Sequence, residues 1–334
     1  MPQLVIITDP GPDPDDVKAL LVAAIAHGQR RLRLRAVICN GGGDPLGRAR
    51  LARCVLDHVG ASSVPVGVGS MGVSRDPRPY EYAIEGYSSV DDSRLEPGHE
   101  LLQSVLRSVG RKSLRVVLIS SLRDFADVVA AVPNLVDRKV HSVAVMGGLR
   151  RTENPPAAKG AGDAAHARAS RASQWEPDTS QNNEFDRAAA NQVYAFCLDH
   201  EVRLIVVGRD AVPRIPMQLA RSFARRTACP IMRYLEHAQF EGLVGLWQKL
   251  CAGELPQRCT KQWYFETFCG VGAATFAERG HDAMGPGDDI INFLDGCAPL
   301  CSCRHGAGEV GSGPVGRETT CGDACARNVY AMPC

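Results

Sequence analysis

The amino-acid sequence predicts an α/β fold built on an open, mainly parallel sheet. Three observations carry that expectation. Short apolar runs rich in Val, Ile and Leu recur at residues 4–7, 32–39, 114–119, 140–146 and 202–207. Several of them turn polar or glycine-rich where they stop: Thr8-Asp9, Asn40-Gly41-Gly42, Ser120-Ser121, Gly147-Gly148 and Gly208. Helix-like segments separate them, and the repeated order of strand, polar end and helix is the signature of parallel strands covered on both faces. Ligands of such sheets sit at the carboxyl ends of the strands, so these polar ends should gather on one edge.

Taken in order, residues 4–7 form a β-branched, apolar strand that stops at Pro, Gly and Asp. Asp9, Asp13, Asp15 and Asp16 follow within eight residues, interleaved with Pro10, Gly11, Pro12 and Pro14. An Ala/Leu-rich helix then runs from Val17. Four carboxylates at the end of a buried strand repel one another, and a divalent cation held by oxygen ligands relieves that repulsion. The plainer alternative is that Asp15 or Asp16 caps the helix while the others are solvated.

Residues 32–39 alternate and then turn apolar, as a second strand should, and end in Asn40-Gly41-Gly42-Gly43-Asp44. Glycines there let backbone approach a ligand, and Asn40 offers both a donor and an acceptor; a flexible turn accounts for the same residues. Residues 46–58 read as a helix with Leu51, Val55 and Leu56 on its apolar face, and 64–68 as a short strand. Residues 70–98, rich in Pro, Gly, Ser and Asp, read as a long surface loop. Its Tyr80, Tyr82 and Tyr87 either line a pocket mouth or anchor the loop.

Helix 100–109, strand 114–119, helix 124–132 and strand 140–146 continue the alternation. Residues 150–173, rich in Ala, Arg and Gly without a period, read as a mobile insertion. A helix from Asp186 to Leu198 and a strand at 202–207 come next. Residues 216–251 read as helical with an interruption at Pro230, and the aromatic cluster of 259–269 as core. The last expected element spans 290–295. The domain expectation is one α/β domain over 1–300 and a Cys/Gly-rich, disordered tail over 301–334.

Lys plus Arg number 38 against 37 for Asp plus Glu, so no long-range field draws the chain to nucleic acid or an anionic membrane. The N-terminus lacks a basic segment followed by an apolar stretch of signal-peptide length, and no apolar run reaches spanning length. The expectation is a soluble, cytoplasmic protein. Of 13 cysteines, Cys297, Cys301, Cys303, Cys321, Cys325 and Cys334 crowd near the C-terminus, in spacings that match no zinc pattern.

Residues 7–16, Ile-Thr-Asp-Pro-Gly-Pro-Asp-Pro-Asp-Asp, resemble the Asp-rich N-terminal motif of the inosine/uridine-preferring nucleoside hydrolase family. Other landmarks follow in that family's order: Ala36-Val37-Ile38-Cys39-Asn40-Gly41-Gly42, residues 64–69, residues 117–122, Val143-Ala144-Val145-Met146-Gly147-Gly148 and Asn182-Asn183-Glu184-Phe185-Asp186. The resemblance covers roughly residues 4–300. It implies an open, mainly parallel, doubly wound, Rossmann-like sheet of the nucleoside hydrolase type. It also implies hydrolysis of the N-glycosidic bond of ribonucleosides, in purine or pyrimidine salvage, by Ca²⁺-bound water that an Asp activates. Hydrolysis of another ribosyl substrate, or ribosyl binding by a catalytically degenerate relative, are the alternatives.

Residue by residue, the resemblance makes Asp16 a calcium ligand and catalytic group, and Asp15 a partner of a ribose hydroxyl. Asp9 becomes calcium ligand and general base, with Asp13 in reserve. The Ile119 carbonyl and Asp295 complete the calcium set, with Asp282 as rival for the late position. Asn40, Asn183, Glu184 and Asp186 match the ribose-binding positions; for Glu184 and Asp186, helix capping is the plain alternative. His281 is the candidate leaving-group acid, and Trp175 or Trp263 the candidate stacking partner of the base. The implied partner is a small nucleoside, not nucleic acid or membrane, and self-association into a homo-oligomer is left open.

Overall fold

Strand β1 (Gln3–Thr8) is the middle strand of the sheet: its last four residues are buried, and Val5 and Ile7 are fully so. In chain order the strands are β1, β2 (Arg33–Cys39), β3 (Val66–Val68), β4 (Leu95–Pro97), β5 (Leu114–Leu118), β6 (Val140–Met146), β7 (Leu149–Arg151), β8 (Trp175–Pro177) and β9 (Arg203–Val207). A computed structural model describes residues 1–11, 13–73, 76–152, 172–208, 211, 222, 229–269, 271–286 and 290. Seven strands form one sheet in the order β4-β3-β2-β1-β5-β6-β9, and every pairing in it is parallel. Strands β7 and β8 pair antiparallel as a separate ribbon.

Helices α1 (Asp15–Gly28), α2 (Pro45–His58), α3 (Gly98–Ser108), α4 (Arg123–Ala131) and α5 (Pro133–Lys139) connect the strands. They are followed by α6 (Gln181–Glu184), α7 (Arg187–Asp199) and α8 (Pro230–Cys251). The period-2 rule assigns the faces: Val5, Ile7, Ala36 and Ile38 join one core with Leu102, Leu106, Phe125, Val128 and Val193. Ile6 and Val37 are buried on the other side of the pleat, and α1 and α2 both pack against β2. Asp44 caps α2 by accepting the Gly47 amide at 2.7 Å, and Pro45 opens the helix where its missing N–H costs nothing.

The sequence expectation of an open parallel α/β sheet therefore holds. Several short elements escaped it, among them β4, α5, β7, β8 and α6. Strand β4 lies inside the segment read as loop, where Pro97 and charged neighbours hide a short edge strand. Helix α5, seven residues opened by Pro133, is too short for its periodicity to register. Pro230 occupies the first turn of α8, after Cys229, and residues 216–221 and 223–228 of that expected helical stretch lie outside the described residues. Strand β7 takes in Arg150 and Arg151, the start of the expected insertion, whose residues 153–171 lie outside the described residues, as does the tail 301–334.

The loop over 76–97 is pinned at several points. Tyr82 and Tyr87 stack at 4.9 Å, Arg94 pairs with Asp57 at 2.8 Å, and the Tyr234 hydroxyl donates to the Glu81 carbonyl at 2.9 Å. Of the two roles open to its tyrosines, Tyr82 and Tyr87 anchor. The chain divides into two compact units, residues 1–213 with 230–246, and residues 214–229 with 247–334. In the second, Trp247, Tyr264, Phe265, Phe268 and Phe276 pack ring on ring, so the aromatic cluster is core as expected. Among the described residues no helix is long and apolar enough to cross a membrane.

Candidate functional site

Strands β1 and β5 are neighbours, yet the sheet continues from them in opposite directions, through β2 on one side and β6 on the other. Such a reversal opens a crevice at the carboxyl ends of the two strands. Asp9 directly follows β1, and Asp16 lies in the first turn of α1, so the crevice receives two buried carboxylates. The Thr8 hydroxyl donates to Asp16 Oδ1, and the Asp9 amide donates to the same oxygen at 3.3 Å. Burial, with Asp9 and Asp15 close by, pushes the Asp16 carboxyl well above the usual aspartate range. Asp13 and Asp15 are exposed.

Asp9 has a cationic neighbour. Arg48, on α2 and 3% exposed, places Nη1 3.3 Å from Asp9 Oδ2 and also donates from Nη1 to the Asp9 carbonyl. The glycines after Asn40 make room for this arrangement. A Cβ on Gly42 (φ +51°) would sit 2.1 Å from a guanidinium nitrogen of Arg48, and one on Gly41 (φ +78°) would touch Asp9. On the other side of the loop, the Oε2 of buried Glu81 lies 3.6 Å from the Cβ position of Gly11.

Asn40 is fully buried and its backbone amide donates to the Thr8 carbonyl at 3.0 Å, which ties it to the end of β1. Its Nδ2 donates to the Ser121 carbonyl at 2.9 Å and to Asp124 Oδ2 at 2.6 Å. Among the described residues its Oδ1 has no partner, nor has the buried Ser120 hydroxyl. Asp124 also accepts the Ser70 amide and hydroxyl, both at 2.8 Å. It thereby joins Asn40 to the segment that starts at Ser70. Ile119 is half-buried beside β1, its amide donating to Ile7 at 2.9 Å. A cleft of about 300 Å³ opens here, walled by Gly41, Gly42, Ser70, Ser121, Phe185 and Asp186 among others.

The other predicted residues are distributed differently. Asn183 is fully buried, but its Nδ2 donates to the Gly148 carbonyl and Asp178, and its Oδ1 accepts from the Tyr194 hydroxyl at 3.1 Å. Its amide is thus spent on holding the end of β6 to α6. Glu184 is exposed and paired with Arg187. Asp186 reaches the cleft and also caps α7, accepting the Ala189 amide at 2.9 Å, with Arg123 3.2 Å from its other oxygen.

Trp175 carries the Arg151 guanidinium over its ring, and Trp263 packs edge-on against Phe268. His281 is buried and stacked on Phe265 at 4.7 Å within the second unit. Asp282 is exposed, and its carbonyl accepts from Lys261 at 2.7 Å. Asp295 lies outside the described residues.

Three residues of this region escaped the sequence reading: Arg48, Glu81 and Asp124. Arg48 did leave a signal. It sits three, four and seven residues before Leu51, Ala52 and Val55, on the apolar stripe of α2 where a lone cation needs a buried partner. Glu81 and Asp124 leave none, because one lies in a polar loop and the other looks like a first-turn carboxylate.

The calcium expectation can be set against these donors. Calcium takes about six to eight oxygen ligands. Asp9 and Asp16 do come to one strand end, but Asp9 faces a guanidinium, and Asp16 Oδ1 already accepts two hydrogen bonds. Among the described residues no three His, Cys, Asp or Glu stand close enough to share an ion. These donors are a poor fit to calcium, and Asp295, the remaining expected ligand, lies outside the described residues.

No family profile matches the chain, and neither does any curated protein sequence. Solved structures do resemble it. The type III effector protein XopQ, complexed with adenosine diphosphate ribose, is 24% identical with a TM-score of 0.64, covering 80% of this chain and 74% of that one. The effector protein XOO4466 is 25% identical with a TM-score of 0.62, covering 81% and 74%. The inosine-uridine preferring nucleoside hydrolase from Bacillus anthracis is 16% identical with a TM-score of 0.50, covering 71% and 75%. The parallel seven-stranded sheet with its flanking helices is the α/β fold of the nucleoside hydrolase type.

Proposed function

We propose that this chain binds a ribosyl group at the carboxyl end of β1 and hydrolyses the N-glycosidic bond that joins it to its base. The observation that carries the reading is the pairing of Asp16 and Asn40 at the switch point. Asp16 is a buried carboxylate with one oxygen fixed by Thr8 and by the Asp9 amide. Asn40 is a buried amide, fixed through Nδ2, with its Oδ1 left over among the described residues. The Asn40 oxygen accepts from a ribose hydroxyl, and Asp15, exposed at the start of α1, accepts from another.

Glycosidic cleavage builds positive charge on the anomeric carbon, and a fixed carboxylate beside it stabilises that charge. The C–N bond breaks and its electron pair leaves with the base. Water adds its oxygen to the anomeric carbon and gives a proton to an Asp-loop carboxylate, while the departing base takes a proton from solvent. The cleft beside Gly41 and Gly42 receives the base, and Phe185, exposed at its wall, offers a face for stacking. At about 300 Å³ the cleft is at the small end of ligand sites, which favours a nucleoside over a larger ligand.

Binding of adenosine diphosphate ribose without cleavage is the second reading, favoured by the XopQ complex and by the Arg48 partner of Asp9. One assay separates the two. Purified protein is incubated with inosine, uridine or adenosine diphosphate ribose, and free ribose and free base are measured beside calorimetric binding. Release from a nucleoside, reduced at least about 100-fold in Asp16→Asn, is expected. Saturable binding of adenosine diphosphate ribose with no release from any of the three would replace hydrolysis with the second reading.

A further inference from the structure

We propose that the Arg48 guanidinium is the resident cation of the Asp loop. It supplies from within the chain the positive charge that would otherwise draw a divalent metal ion to Asp9. The contact is made twice, from Nη1 to the Asp9 carbonyl and, at 3.3 Å, to Oδ2 of the Asp9 carboxylate. It is also buried: Arg48 is 3% exposed and Asp9 9%.

The surroundings are built around it. Gly42 leaves the volume that the guanidinium fills, since any side chain there would begin 2.1 Å from it. Asp44 and Pro45 start α2 so that Arg48 falls on the stripe facing the sheet, in line with Leu51 and Val55. The guanidinium keeps one donor, Nε, without a partner among the described residues, so protein contacts do not consume the group entirely. In a buried setting two cations beside one carboxylate repel strongly, and a metal ion at Asp9 must overcome Arg48. The consequence is a ribosyl site that binds its ligand without requiring calcium.

This inference concerns the same loop as the ribosyl reading. Calcium uptake is measured with no ribosyl ligand present, so either can fail while the other stands. The full chain, dialysed against chelator, is titrated with calcium chloride in a calorimeter. Native protein should show no saturable uptake below about 1 mM, the weak end of protein calcium sites. Arg48→Gln, with its fold checked by circular dichroism, should bind calcium at least about tenfold more tightly than native protein. Micromolar calcium binding by native protein overturns the proposal. So does a folded Arg48→Gln that takes up calcium no better than native protein. If Arg48→Gln does not fold, the native titration decides alone, and adenosine diphosphate ribose or inosine binding that vanishes on chelation counts against the proposal.

Discussion

Asp124 shows how much of this site depends on one carboxylate that touches no predicted ligand. It accepts from Asn40, from the Ser70 amide and from the Ser70 hydroxyl, and is itself almost wholly buried. Replacing it with Ala leaves the Ser70 amide without its acceptor and Asn40 Nδ2 with Ser121 alone. Asp124→Ala should therefore lower unfolding stability by about 1–3 kcal/mol in urea denaturation, the usual penalty for stranding buried donors. A loss below a few tenths of a kcal/mol would show that water replaces the carboxylate. The residues that the sequence singled out were legible by type and position: Asp9 and Asn40 directly follow strands, and Asp16 stands in the first turn of the helix after β1. Their partners were not, because Arg48 and Asp124 come from helices that close on the loop only in three dimensions.

At the scale of elements, β3 and α3 meet through glycine. A Cβ on Gly67 would lie 2.8 Å from the Gly98 Cα and 3.2 Å from both Ile38 and Leu101. The obstacle at Gly98 is backbone, which cannot swing aside as a side chain does. Gly67→Ala should cost about 1–3 kcal/mol, the usual range for overpacking, and shift the urea midpoint down without changing its slope. An unchanged midpoint would mean that α3 slides on the sheet. The helix–strand alternation that places this contact could be read from periodicity. The contact itself could not, since Gly67 and Gly98 each look like ordinary turn formers in sequence.

For the whole molecule, acid stability gives a measurable balance of charge. Burial raises the Asp57 carboxyl, but Arg94 and Arg53 outweigh it and hold the group below its ordinary range. Asp178 is likewise raised by burial and brought lower by hydrogen bonds from Ser180, Asn183 and Gly148. A carboxyl with a lowered folded pKa contributes stability above its unfolded value, about 3.9, and loses it as pH falls through the folded value. Asp16, raised instead, contributes with the opposite sign as pH rises. The stability gap between native protein and Asp57→Asn should accordingly be constant above about pH 5 and shrink toward pH 2. A gap that stays constant over that range would assign the Asp57 contribution to packing rather than charge.

By itself the sequence determined the parallel α/β sheet, the edge on which its polar strand ends gather, and the identity of the carboxylates placed there. Hydrophobic period and turn chemistry are local properties, so they survive in a linear reading. The tertiary structure alone decided what those carboxylates face. Arg48 is 39 residues from Asp9 along the chain, and Asp124 is 84 from Asn40. Charge balance in a buried loop depends on such distant neighbours, and only the folded chain brings them within hydrogen-bonding reach.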